Sequence, residues 1–410
     1  MIERCTQRAS RAGFPEFPEL MFFSPIAHSL SQSLNRLYQA RDAAVARGEQ
    51  LVDLVSGNVN QASVQYPDGL LQEIFTRALS AAKVYRPDSL GQYVARQAIS
   101  RYYQSAGIAL PPDQFLLTPG TSVSYFYCFR LLAKSGDEIL CPSPSYPLFE
   151  TIAQLCDVHL TSYPLRESRN WEVDLDYLES RLTTRTRAMV LISPHNPTGA
   201  VATSRELQGL ADIAVRHRLP IIADEVFSEF LHGLDQLPRP AQTQAPLVFT
   251  LNGFSKMLAL PGLKLGWMGI SGDPALVKKS LQALEMISDT FLPVNELVQF
   301  AAADLLEMGQ PFLSSYREAV KRCRKVAVES LSGCKYLAVV PPQGGFYLTA
   351  RWLGSERDEE QWMIDLLNSC GVLMHPGYFY DIPGIHLVMT FIQELAGLRR
   401  SLECVQKFLG

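Results

Sequence analysis

Residues 188–225 read AMVLISPHNPTGAVATSRELQGLADIAVRHRLPIIADE, and the order of signals within them decides the fold. The apolar run 188–193 has the length of a buried strand and stops at Pro194-His195-Asn196-Pro197-Thr198-Gly199, whose prolines, Asn and Gly are turn formers. Over residues 204–218, Leu207, Leu210, Ala211 and Ala214 recur at helical spacing, and Thr203 with Glu206 has the form of a capping box. A second apolar run, 220–223, ends at Asp224-Glu225. Strand, helix and strand in this order predict parallel neighbours joined by a crossover helix.

The same alternation extends in both directions. Runs 115–118, 138–141, 247–251 and 264–270 also have buried-strand length, with helical segments between them, so the expectation is a mostly parallel sheet covered on both faces. After Pro311 the pattern restarts with a long helix over 312–331, whose outward face would carry Arg317, Lys321 and Arg324. Strand-like 336–340, a Gly344-Gly345 turn, strand-like 346–350, a helix over 359–369, strand-like 386–392 and a final helix follow, giving a smaller α/β domain. The first fifty residues contain a helical stretch, 29–46, expected to pack with that C-terminal piece. The expected division is 1–50 as an arm and part of the small domain, 51–305 as the large domain and 306–410 as the rest of the small one.

Composition narrows the function. The chain has 410 residues, 47% hydrophobic and 19% charged, which is enough apolar material for large cores. The net charge is -4 and Lys and Arg are scattered, so nucleic acid and anionic membrane are not expected partners. Arg4, Arg8 and Arg11 precede an apolar run, 20–23, that is too short for a signal-peptide core, and no run is long enough to span a bilayer. The eight cysteines are far apart with no CxxC pair, which argues against a zinc site or a disulfide framework and fits a reducing cytoplasm.

The informative residues stand where strands end. In an open parallel sheet, ligands bind outside the carboxyl ends of the strands. Here those ends would carry Asn196, Asp224, Lys256 and the turn Pro119-Gly120-Thr121-Ser122 that opens a helix. This set suits an aldehyde cofactor with a phosphate and a pyridine ring. A lysine can join the aldehyde as a Schiff base and later move protons at a substrate α-carbon. A carboxylate keeps the ring nitrogen protonated, and a Gly-Thr-Ser helix start offers N–H groups and hydroxyls to a phosphate. Singly, Asp224 reads as a helix cap, Asn196-Pro197 as a turn, Tyr146 as a core aromatic and Lys256 as a surface lysine; in order and together they point to the cofactor.

With Gly136-Asp137-Glu138 to Pro147, Ser193 to Gly199, Ala223-Asp224-Glu225 and Ser255-Lys256 through Pro261-Gly262-Leu263-Lys264-Leu265-Gly266-Trp267, the chain resembles the class I/II aminotransferases of pyridoxal-phosphate (PLP) fold type I, nearest the alanine-aminotransferase-like branch. The resemblance runs from about residue 50 to the C-terminus. It implies pyridoxal 5'-phosphate held by Lys256, with Asp224 at the ring nitrogen, Asn196 at the ring oxygen and Tyr146 stacked on the ring. It implies phosphate contacts from Gly120, Thr121, Ser122 and Ser255, and approach of Gly57 to the substrate carboxylate. Tyr85, ahead of Gly91-Gln92-Tyr93, matches the tyrosine that reaches the neighbouring subunit's phosphate, which implies a homodimer acting on a small amine or amino acid and a 2-oxo acid or aldehyde.

Three positions depart from the family pattern. Phe227 stands where a tyrosine also bonds the ring oxygen, Lys264 where an arginine clamps the phosphate, and Val388 where an arginine grips the substrate carboxylate. Losing the bidentate arginine removes a strong charge-assisted pair, and Arg351, His386, His375 and Arg86 are candidates to replace it. Val388 and Phe227 keep open a PLP-dependent lyase, decarboxylase or cyclising enzyme. A cofactor-fold sensor behind a DNA-binding module is disfavoured, because no basic helix-turn-helix precedes residue 30 and Lys256, Asp224 and Asn196 are all kept. His195 reads as structural.

Overall fold

The computed structural model describes residue 26, residues 35–60 and residues 64–410. The basic arm, the apolar run 20–23 and part of the expected 29–46 helix lie outside the described residues. What is described of that helix is Arg36–Ala46, capped by Asn35, whose side chain accepts from the Tyr38 N–H at 2.9 Å.

A short strand, β1 (Val52–Asp53), precedes the strands of the main sheet: β2 (Phe115–Thr118), β3 (Glu138–Ser143), β4 (His159–Arg166), β5 (Glu172–Val173), β6 (Thr186–Ile192), β7 (Ile221–Asp224), β8 (Leu247–Gly253) and β9 (Gly266–Gly272). They run in the order β2-β9-β8-β7-β6-β3-β4-β5. From β8 through β7, β6 and β3 to β4 every pair is parallel, as the sequence predicts, with β6 and β7 in register from Met189↔Ile221 to Ile192↔Asp224. β9 is antiparallel to both its neighbours, and β5 is antiparallel at the far edge. Strands β4 and β5 were not anticipated from the sequence. The reason is physical: β4 lies near an edge, only Tyr163 and Leu165 of its eight residues are buried, and Pro164 interrupts its apolar pattern.

Burial on both faces explains why the strands read as continuous apolar runs. Along β6, Val190 and Ile192 enter a core with Tyr125, Phe129 and Phe149 of helices Thr121–Leu132 and Leu148–Cys156, whereas Met189 and Leu191 enter one with Leu207, Leu210 and Ala214 of Ser204–His217. The capping box forms as expected: the Thr203 hydroxyl accepts from the Glu206 N–H, and the Glu206 carboxylate accepts from the Thr203 N–H at 2.8 Å.

A second sheet, β10-β11-β14-β13, contains β10 (Leu337–Val339) and β11 (Tyr347–Trp352), then, beyond β12 (Val372–Leu373), β13 (His375–Pro376) and β14 (His386–Thr390), all antiparallel. It packs with helices Gln310–Ser332, Glu359–Cys370 and Leu395–Leu409. Helix Arg36–Ala46 lies against Glu359–Cys370, and just beyond it β1 pairs in parallel with β12. One expectation is corrected: Arg317 and Arg324 are half-buried rather than outward, because Arg317 donates to the Glu229 carbonyl at 3.1 Å and Arg324 to that of Pro342 at 2.7 Å. Among the described residues no helix is long and apolar enough to cross a membrane, no acidic, His or Cys cluster could hold a metal, and every cysteine is free.

Candidate active site

The carboxyl edge of the main sheet collects Thr118, Ser143, Ile192, Asp224 and Gly253 at the ends of β2, β3, β6, β7 and β8. Strand β9 enters this edge from the opposite direction, so Gly266 opposes both Thr118 and Gly253. Backbones are nearly in contact there: a Cβ on Gly266 would stand 2.9 Å from the Gly120 Cα. Only glycine permits that approach.

Lys256 sits in the four-residue helix Phe254–Met257 that follows β8. Phe254 and Met257 are buried and anchor the turn, which turns the lysine toward the edge of the sheet. Its Nζ donates to the Gly57 carbonyl at 2.6 Å, and burial pushes the amine down to about 8. The Gly57 loop is held from two sides. Asp53 Oδ1 accepts from the Val55 and Ser56 N–H groups at 2.7 and 2.8 Å, and Asn60 Nδ2 donates to the Ala259 carbonyl at 3.0 Å. A Cβ on Gly57 would lie 2.9 Å from Lys256 Nζ and 2.4 Å from Tyr347 Oη, so a side chain there would displace the ends of both.

Asp224 closes β7 almost fully buried. Its Oδ2 accepts from Tyr125 Oη at 2.9 Å and its Oδ1 from the Val226 N–H at 3.0 Å, but burial outweighs both and raises the carboxyl to about 6. Asn196 presents a buried Oδ1 with no partner; amide oxygen and nitrogen are interchangeable by rotation, so this end of the side chain can serve as donor or acceptor. Helix Thr121–Leu132 begins at Gly120, with φ 132°, and no side chain caps it. The space where a Gly120 Cβ would stand is open. Lys264, exposed and at φ 53°, immediately precedes Leu265 and Gly266 in the segment that enters this edge.

These observations fit pyridoxal phosphate. A buried carboxylate short of a cation, an unpartnered amide, an uncapped helix start with open space at its glycine and an amine eased toward neutrality match the ring nitrogen, ring oxygen, phosphate and aldehyde in turn. Tyr146, 44% exposed just beyond β3, offers a ring at the rim, and Ser255 lies half-buried beside Lys256. Tyr85 stands apart on the surface at 72% exposure, in a turn fixed by Gln92 Nε2 donating to the Arg86 carbonyl at 2.6 Å. His195 is structural: its Nδ1 meets Thr198 Oγ1 at 3.0 Å, and burial pushes it down to about 3.

Phe227 is buried edge-on to Phe346, with ring centroids 4.8 Å apart. Val388 is buried on β14, opposite Thr349 and His375. Three of the four candidate replacements for an arginine there already meet other groups. Arg351 pairs with Glu167 at 3.1 Å, and His386 contacts the same carboxylate at 3.4 Å. His375 lies between Tyr38 Oη (2.8 Å) and Tyr380 Oη (3.0 Å), and burial pushes it down to about 3, so it is neutral. Arg86 is exposed beside Tyr85.

Two residues of the site were missed from the sequence. Tyr125 was legible, since it follows Thr121 by four residues and must share its helix face. Tyr347 was not, because its place depends on the register of a sheet in another part of the fold.

Comparison with known proteins matches residues 49–391 to the family model of aminotransferase class I and II. The glutamate-pyruvate aminotransferase AlaA of Escherichia coli K12 is 30% identical over 374 residues, covering 88% of this chain and 91% of that one. An alanine aminotransferase of Mycobacterium tuberculosis H37Rv is 29% identical over 377 residues, covering 89% and 86%. Among solved structures, alanine aminotransferase from Pyrococcus furiosus superposes with TM-score 0.88 at 25% identity, covering 94% of this chain and 99% of that one. An Escherichia coli aminotransferase gives 0.84 at 27%, covering 97% and 98%.

Proposed function

The chain belongs to the class I and II aminotransferases and is a pyridoxal 5'-phosphate-dependent enzyme, and on that premise we propose that Lys256 is its catalytic residue, working on a small amino acid and a 2-oxo acid or aldehyde. Bound pyridoxal phosphate supplies an aldehyde that takes up amino groups and a protonated ring that draws electrons from the α-carbon. Lys256 would hold the aldehyde, and its freed amine would accept and return a proton at the substrate α-carbon, which an amine lowered to about 8 can do near neutral pH. Asp224 keeps the ring nitrogen protonated, and Tyr125 orients the carboxylate by its 2.9 Å bond. Asn196 would donate to the ring oxygen, and Tyr146 would cover the ring.

Gly120, Thr121, Ser122 and Ser255 take the phosphate with the charge of Lys264, and Gly57 lies along the substrate. We read residues 51–305 as the large unit around this site, with 306–410 and the described residues 35–50 in the smaller one. Tyr85 completes the phosphate site of a second copy, a reading supported by the exposed apolar surface of Val84, Tyr85, Met286, Phe291 and Leu292. Free thiols at every described cysteine are in keeping with a cytoplasmic enzyme.

The observation that carries the proposal is the placement of a buried Asp224 carboxylate and of the Lys256 amine, hydrogen-bonded to the Gly57 carbonyl, at the ends of the adjacent strands β7 and β8; burial pushes that amine down and that carboxyl up. The test is Lys256→Ala. The variant should fold and bind the cofactor weakly, yet lose turnover and the borohydride-reducible link. Wild-type levels of that link in the variant would refute the assignment. Sedimentation of the holoenzyme reads the second copy directly.

A further inference from the structure

Position 388 raises a question that the site reading leaves open: what holds the carboxylate of an amino substrate when the chain places a buried valine there? The sheet register supplies an answer. Val388 of β14 pairs with Thr349 of β11, and Thr390 pairs with Tyr347, so all of these side chains project from one face of the sheet. Tyr347 is thus a diagonal neighbour of Val388, and a long aromatic side chain can reach across that spacing.

Its hydroxyl arrives at the reacting end of Lys256. Tyr347 Oη and Lys256 Nζ stand 2.4 and 2.9 Å from a single point, the absent Cβ of Gly57. The Tyr347 ring is fixed there, stacked on Phe346 at 5.7 Å and edge-on to Phe227 at 5.9 Å. Among the described residues no hydrogen-bond partner is found for the hydroxyl, although the residue is only 7% exposed. Burial, with Tyr146 and Asp53 nearby, holds the phenol above its ordinary range, so it remains an O–H donor throughout the working pH range. A donor without an acceptor, beside the amine that a substrate displaces, has the position of a substrate contact.

We propose, building on the site reading above, that Tyr347 takes the carboxylate of the amino substrate, its hydroxyl donating one hydrogen bond where an arginine at 388 would give a bidentate pair. The grip is neutral. Substrate binding therefore depends weakly on salt, and the discrimination between an amino acid and the corresponding simple amine rests on that one bond.

The experiment compares holoenzyme and Tyr347→Phe with two amines that differ only in the relevant group: alanine, and isopropylamine, in which a methyl replaces the carboxylate. Half-saturation is read from conversion of the cofactor's visible band, and binding is read separately with 2-methylalanine, which has no α-hydrogen to lose. Loss of a hydrogen bond to a charged group should raise half-saturation for alanine and the Kd of 2-methylalanine by on the order of tenfold to a hundredfold, with isopropylamine unchanged and the visible band and melting midpoint of the variant intact. Unchanged alanine kinetics would overturn the proposal. So would an equal loss with both amines, which would place the hydroxyl on Lys256 instead. A wild-type holoenzyme whose band responds to neither amine would refute the site reading itself, and is recognised before any substitution is made.

Discussion

Asp224→Asn should stabilise the cofactor-free protein at neutral pH while removing its activity. Burial raises the Asp224 carboxyl from 3.8 to about 6. Two units correspond to about 3 kcal/mol. The folded protein holds this proton more tightly than the unfolded chain does, so it is charging the group that costs stability. The penalty is absent below about pH 4, grows through the interval between 3.8 and about 6, and is complete above it.

Asparagine keeps one oxygen, for the Val226 N–H, and turns its NH2 to the Tyr125 hydroxyl, which then accepts instead of donating; the cost of that exchange does not vary with pH. The variant's stability relative to wild type should therefore rise by about 3 kcal/mol between pH 4 and pH 7.5. For a chain of 410 residues that is a melting shift of roughly 3–4 °C. Thermal unfolding of both apo-proteins across that range measures it. Pyridoxal phosphate should reverse the order, because only the carboxylate pairs with the ring cation, and half-reaction rates of the variant should fall by orders of magnitude. Parallel curves for the two apo-proteins at all pH values would refute the argument that burial dominates at Asp224.

Other outcomes follow from the same geometry. The neutral amine is the nucleophile, so the rate at which apo-protein takes up the cofactor should climb with pH and reach half its maximum near 8, where burial puts Lys256; a rate still climbing at pH 10 in a borohydride-trapping assay would contradict this. Gly266→Ala forces a methyl against the Gly120 Cα, 2.9 Å away, and should cost about 1–3 kcal/mol in melting experiments together with roughly tenfold in cofactor affinity. Val388→Arg should strengthen alanine binding and change substrate preference, against an overpacking cost of about 1–3 kcal/mol; unchanged preference in a folded variant would show that position 388 does not face the substrate.

Local pattern made much of this molecule legible. The run 188–193, its turn, the capped helix and the run to Asp224 carried enough period and turn chemistry to place Asn196 and Asp224 at neighbouring strand ends, and their β6–β7 pairing follows. Lys256 was legible for the same reason. The antiparallel course of β9 was not, since a buried strand reads alike in either direction. β4 was hidden by its wet face. The partners that tune the site were illegible for a different cause: Tyr347 lies 91 positions beyond Lys256 and reaches it only through the β11–β14 register. Likewise, the engagement of Arg351 and His386 by Glu167 depends on a contact between distant segments that no periodicity announces.

The charges at the site explain why the cofactor end and the substrate end are built differently. Lys256 below about pH 8 and Asp224 above about pH 6 each carry a charge that burial disfavours, so at pH 7 the empty protein bears both costs at once. On the proposed reading one ligand would offset both, since its aldehyde would engage the Lys256 amine and its ring cation would pair with the Asp224 carboxylate. Cofactor binding is thereby coupled to stability beyond the contacts it makes. The substrate end shows no comparable arrangement: Val388 is apolar, His375 is neutral, and Arg351 is committed to Glu167. A neutral donor such as Tyr347 suits a molecule that must enter and leave twice in each catalytic cycle, because a single hydrogen bond aligns the carboxylate without holding the product as tightly as a buried ion pair would.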